Sequence, residues 1–236
     1  MGKPGSLRHL CLVLALLMGG LAACTPRQEA RPPAPPPAPP APSAPAPAPV
    51  PVPAPPDDKQ VLADPERDAV LFAAWRAKHV ADVDAFEQFL VAEHVAQVVP
   101  MYQLLRSASM WKECGAEPFQ LPPAQAWPTV RDVLVLLREL KKRQVLTGVE
   151  VVSAYRDPRL NRCAGGAPGS SHVRFAIDIA PVPEEEGRRL CRFWRDEGQA
   201  WDMGMSRYPS GRIHIDRTAY RTWGASHRRG SSYCLQ

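Results

Sequence analysis

The sequence predicts one α+β domain over residues 57–236, with helices packed on a small antiparallel sheet. Three observations predict it. An apolar stripe at helical spacing runs through 129–143. Three short apolar runs, 148–154, 175–180 and 212–216, have the β-branched content or the alternation of strands. Loops rich in Pro and Gly separate these segments, and no internal repeat is present. Such a mixture fits helices laid on a small sheet around one core.

In chain order, residues 64–98 read as two helices. Val70, Ala73, Ala74, Ala77 and Val80 recur at helical spacing, followed by Val83, Phe86, Phe89 and Leu90. Pro100 ends this region, and Met101, Tyr102, Leu104 and Leu105 suggest a short helix. Pro118, Pro122, Pro123 and Pro128 mark a loop. Residues 129–143 form the clearest helix, with Thr129 as expected cap and Asp132 completing a near capping box. Val130, Val133, Leu134, Leu137 and Leu140 supply its apolar stripe. Lys141, Lys142 and Arg143 occupy the last turn, where the helix dipole favours cations. A first strand is expected at 148–154 and a Gly-rich loop at 157–171. In the second strand, 175–180, Phe175, Ile177 and Ile179 share one face, while Asp178 lies on the other. Residues 184–199 read as a helix with acids in its first turn, and 212–216 as a third strand.

The N-terminus carries a different signal. Lys3 and Arg8 precede an apolar stretch from Leu10 to about Leu21, then Ala22, Ala23 and Cys24. This is the pattern of a secretory signal, too short to span a bilayer. Its end resembles the lipobox of bacterial lipoproteins. The resemblance implies removal of residues 1–23 and a lipid on Cys24, with Thr25 favouring the outer membrane. Residues 24–56 are dominated by Pro and Ala, so an extended tether is expected there. About thirty such residues reach on the order of 90 Å. The net charge of +5 is mild. It fits an anionic wall or membrane surface and gives no reason to expect nucleic-acid binding. Of six Cys, Cys11 leaves with the signal and Cys24 takes the lipid. Cys114, Cys163, Cys191 and Cys234 remain, an even number suited to two disulfides in an exported domain. Three pairings are open, and sequence alone does not choose among them. Cys114 with Cys163 and Cys191 with Cys234 is the expectation adopted, the second tying down the C-terminal segment.

His172, Asp178 and His214 are the constellation that can carry chemistry. A catalytic zinc site takes three ligands from His and carboxylates and leaves a fourth position open. On spacing alone the signal is weak. The surrounding words strengthen it: Ser153-Ala154-Tyr155-Arg156-Asp157-Pro158, Asn161, Gly165-Gly166, Ser170-Ser171-His172 and Ala176-Ile177-Asp178. Gly204, Tyr208-Pro209, Arg212-Ile213-His214-Ile215-Asp216 and Arg221-Thr222-Trp223 follow in order. Together they resemble the zinc D-Ala-D-Ala peptidases of the M15 type, over about residues 127–224. Residues 57–126 match no word and are expected to be a helical N-terminal part, with 127–236 as the peptidase core.

The resemblance implies the M15 and hedgehog-like fold and a Zn2+ ion on His172, Asp178 and His214. It implies that Arg156, Tyr155 and Ser170 contact substrate, and that D-amino-acid amide bonds in peptidoglycan stem peptides are cut. The two choices are a carboxypeptidase and a cross-link endopeptidase. A monomer in the cell envelope, lipid-anchored and facing the periplasm, is expected. Three departures stand out, one of them the four domain Cys outside the motif words. The His172 to Asp178 interval is one residue shorter than in the family word. The consistent apolar face of Phe175, Ile177 and Ile179 places that shortening in the loop. No residue matches the family's general base, since Gly211 and Arg212 stand at the positions relatives use. Asp216 is the remaining candidate for a proton shuttle. The alternative is a degenerate, non-catalytic lipoprotein that binds wall peptides or a partner.

Overall fold

The computed structural model describes residues 65–236. The signal at 1–23, the lipid site Cys24 and the tether at 24–56 lie outside the described residues. Helices α1 (Pro65–Arg76) and α2 (Val80–Ala92) occupy the first helical region, and Met101–Leu104 forms the short helix α3. The long helix α4 spans Trp127–Lys142. It begins before the predicted Thr129 cap. A 3-10 turn at Ala124–Ala126 leads directly into it, no side chain caps it, and Pro128 sits in its first turn. That position suits Pro, whose missing N–H has no helical partner there. Val130, Val133, Leu134, Leu137 and Leu140 are all fully buried, as the stripe requires.

Five short strands form one sheet: β1 (Val151–Ser153), β2 (Ile177–Ile179), β3 (Gly204–Arg207), β4 (Ile213–Asp216) and β5 (Arg221–Trp223). Their spatial order is β1-β2-β4-β3-β5. The expectation of a wholly antiparallel sheet is corrected at one edge, where β5 runs parallel to β3. After β4 the chain turns past the adjacent strand β3 and pairs on its far side, which fixes that direction. The opposite edge, β1, is covered by side chains. Gln103 Oε1 accepts from Val151 N at 3.1 Å, and Arg106 Nη1 donates to Val151 O at 2.6 Å. Arg106 also pairs with Glu150 and Asp68. A covered edge removes a template for strand pairing with another chain.

Two further elements lie where sequence suggested otherwise. Asp157 Oδ1 accepts from the backbone N–H of Arg159 and Leu160 at 2.7 and 2.9 Å, capping helix α5 (Pro158–Cys163) inside the expected loop. The Asp-Pro pair is a legible cap and first-turn signal. The last long helix, α6, runs Glu184–Asp196 and ends before Gln199. One core joins α2 and α4 to the sheet, from Phe86 and Leu90 through Leu137 to Ile177, Ile179, Ile213 and Ile215. Residues 65–126 and 127–236 therefore share it. The expected disulfides are both present, Cys114–Cys163 and Cys191–Cys234. No described helix is long and apolar enough to cross a membrane.

Candidate metal centre

The central strands build the site. Asp178 on β2 stands directly opposite His214 on β4, and Ser206 of β3 follows across His214. His172 comes from a 3-10 turn at Ser171–Val173, just before β2. Phe175 N–H donates to Ser171 O at 2.8 Å, so the chain between His172 and β2 is a tight turn. That turn absorbs the missing residue and leaves Asp178 on the same face as both histidines. His172 and Asp178 are joined at 3.2 Å from Nε2 to Oδ1, and His214 Nδ1 lies 3.0 Å from the same oxygen. One ligand atom from each of the three lies within 4.8 Å of the others. All three side chains are buried.

The donor chemistry fits a metal ion. His172 Nδ1 is 2.6 Å from Ala154 O, an acceptor only, so that nitrogen carries the proton and Nε2 keeps its lone pair. His214 Nε2 is 2.8 Å from Asp216 Oδ2, which accepts from it, and Nδ1 faces Asp178 Oδ1 at 3.0 Å. Each ring is thus oriented with one nitrogen toward the common point and the other held by a backbone carbonyl or a carboxylate, as such partners do for metal-bound His. Ser171 Oγ bridges His214 Nε2 and Asp216 Oδ2 at 3.0 and 2.9 Å.

Burial and the neighbouring Arg156 charge depress the His172 pKa to about 4. For Asp178, burial pushes the carboxyl up, but His172, His214 and Arg156 outweigh it and hold it well below the usual range. Burial opposes the charged form of His214, yet hydrogen bonds to Asp178 and Asp216 raise its pKa. For the metal-free protein the His172 shift has a definite sign. Between pH 6.5 and about 4 the unfolded chain takes up a proton that the folded site refuses. Stability should fall as pH drops through that window. Thermal melts of the metal-free protein would show it, and His172→Gln should flatten the slope.

Other expected site residues are distributed unequally. Arg156, nine-tenths buried, donates from Nη2 to Asp178 Oδ2 at 2.8 Å and from Nε to Ser153 Oγ at 3.0 Å. It also lines a cavity of about 630 Å³ that opens over the three candidate ligands. Ser170 lines the same cavity, and its Oγ accepts from His172 N–H at 3.3 Å. Tyr155 does not line the cavity; its ring packs against the hydrophobic core. Asp216 is the residue expected as a proton shuttle. It lies behind His214, fully buried and outside the cavity lining. Its oxygens are saturated by His214, Ser171, Thr218 N–H and a fork from Arg221 at 2.6 and 2.9 Å. Burial alone would raise its pKa, but His214 and Arg221 hold it far below the ordinary carboxylate value. It orients His214. Gly204 makes room for this pair, since a Cβ there would stand 2.6 Å from both Arg221 Nη1 and Asp216 Oδ1.

Sequence reasoning missed several cavity residues. Tyr208, Trp223 and His227 line it. Burial, then the Asp178 charge, push the Tyr208 phenol up, so it stays protonated as a donor. Trp223 stands 5.2 Å from His214 between ring centroids. Tyr208 and Trp223 fall in motif words and were legible as such; no spacing pointed to His227. Residues 108–216 match the model of the family described as Peptidase M15. No curated protein and no solved structure matches the chain.

Proposed function

Residues 108–216 form an M15-type peptidase domain, and from that premise we propose that the protein is a zinc metallopeptidase of the bacterial envelope. It hydrolyses D-amino-acid amide bonds in peptidoglycan stem peptides. The observation that carries this reading is the convergence of His172, Asp178 and His214 beneath the cavity, each imidazole held from its far side by a partner. Zinc, when bound there, supplies the Lewis acidity that polarises a carbonyl and makes water acidic at neutral pH. The protein's own groups do the rest. Arg156 holds Oδ2 of Asp178, which keeps Oδ1 turned toward the histidines. Arg221 and Ser171 hold Asp216, which orients His214. Tyr208 offers an O–H to an oxygen that gains negative charge in the cavity. Two disulfides support an oxidising compartment. The lipobox and the Pro/Ala tether support a catalytic domain that reaches a fixed wall from a membrane anchor.

One observation favours the non-catalytic alternative: Asp178 is the only carboxylate that lines the cavity among the described residues. The test is zinc content and peptide cleavage on the full chain. We expect about one zinc per chain and release of D-alanine or cleavage of a cross-link from wall peptides. His172→Ala should lose both. Zinc binding without turnover on any wall peptide would select the binding protein, and no zinc in the parent would overturn the metallopeptidase.

A further inference from the structure

Amide hydrolysis needs a group that takes a proton from water and returns it to the departing nitrogen. The groups already described cannot do this. Asp178, His172 and His214 are committed to one another and to their fixed partners. Asp216 is buried behind His214. Tyr208 is held protonated, and Arg156, Arg212 and Arg221 keep their charge. Among titratable side chains of the described residues that line the cavity, that leaves His227. We propose that His227, given the peptidase reading above, is the proton carrier of this site.

The local structure holds the backbone at His227 in one conformation. His227 has a left-handed backbone, φ 56, which a non-glycine residue keeps only where its surroundings determine it. They do so here. His227 N–H donates to Gly224 O at 2.9 Å, and Gly224 N–H donates to Arg228 O at 3.2 Å. Ser231 Oγ donates to Arg228 O at 2.9 Å and meets Ser226 Oγ at 2.6 Å. Gly224 permits the closure, since a Cβ there would fall 1.7 Å from Ser231 O. The base of the loop is pinned by the buried pair Thr222 Oγ1 and Ser232 Oγ at 2.5 Å. The loop follows β5, whose Trp223 already stands against His214, so the same segment supplies a wall and an imidazole to one cavity. Imidazole suits the task because its proton exchange lies closest to neutral pH among side chains. The charged groups on the other walls are Arg156, Arg212, Arg221 and Asp178, and Arg228 and Arg229 follow His227 on its own loop.

The step balances without a co-reactant. A C–O bond forms between water and the carbonyl carbon while a ring nitrogen of His227 takes one water proton. The C–N bond then breaks, and that proton passes to the leaving nitrogen. The products are a carboxylic acid and an amine. This assigns the cavity a proton carrier outside the matched span 108–216.

The experiment compares the zinc-loaded full chain with His227→Gln and His227→Ala. We expect kcat to fall by about 10²- to 10⁴-fold, with KM and zinc content little changed. The acidic limb of the kcat/KM profile against pH should disappear. Added imidazole should restore part of the His227→Ala activity. A non-hydrolysable phosphinate analogue of a stem peptide should shift the His227 ring signals in the NMR spectrum of the parent. Parental turnover and pH profile in His227→Gln, or unmoved ring signals, would overturn the proposal while leaving the peptidase reading intact. A parent that binds zinc and cuts no wall peptide would overturn both.

Discussion

Replacing Asp178 with Asn should abolish zinc retention and peptidase activity and destabilise the metal-free protein by about 3–5 kcal/mol. Asn preserves the shape of the side chain but removes the charge at the centre of the cluster. Arg156 then keeps a buried guanidinium with no anion, since among the described residues Ser153 Oγ is the other acceptor of that guanidinium. His172 and His214 lose the carboxylate oxygen they share. Breaking a buried ion pair on one side leaves the other charge uncompensated, which is why the cost is large. Urea denaturation and zinc stoichiometry check this. A companion variant separates the two effects: Arg156→Met with Asp178→Leu should recover much of the stability and none of the zinc. A single Asp178→Asn variant that kept parental stability and its zinc would sink the account of the site.

Removing the disulfide Cys114–Cys163, by Cys114→Ser with Cys163→Ser, should cost about 4 kcal/mol, from the sequence separation of 49 and chain-entropy scaling. The neighbourhood makes this bond matter. Beyond the main core, Ala108, Cys114 and Leu160 form only a small separate cluster. Helix α5 contributes Leu160 and Asn161 to the interior, so little else secures it. Cys163 ends α5, and the chain then supplies Ala164, Gly165, Gly166, Ala167, Gly169 and Ser170 to the cavity wall. The double variant should therefore melt earlier and bind substrate more weakly, with a raised KM. Zinc should stay, because Arg156 N–H to His172 O at 3.1 Å and His172 to Ala154 O hold the ligand independently of that wall. A parental melting temperature in the variant would contradict this.

What sequence made legible followed from short-range rules. The stripe Val130 to Leu140 announced α4, because periodic apolar residues must face a core whatever surrounds them. Asp178 within an apolar strand announced a site, because burying an unpaired carboxylate is costly. The strand faces were harder. The alternation of Phe175, Ile177 and Ile179 marked one face, but Ala176 and Asp178 are equally buried beneath the cavity. Strands β3 and β5 escaped notice because Gly204-Met205-Ser206-Arg207 and Arg221-Thr222-Trp223 carry little β-branched content; pairing, not propensity, makes them strands. The fork from Arg221 onto Asp216 is set by the pairing of β4 and β5 on either side of β3, which local sequence does not reveal. His227 depends on a loop closed by Gly224 and Ser231, a contact set by the fold.

The register of β2 against β4 has a consequence for how the molecule opens. Asp178 and His214 are direct neighbours across the middle of the sheet, with Ile177, Ile179, Ile213 and Ile215 around them in the core. The ligands cannot separate by fraying of a loop; they separate only when the central strands come apart. Amides of these two strands should thus exchange with deuterium last, at the free energy of global unfolding. Added zinc should slow exchange there and across the whole domain together, because a cation bridging the two strands raises the cost of the one opening that every core amide shares.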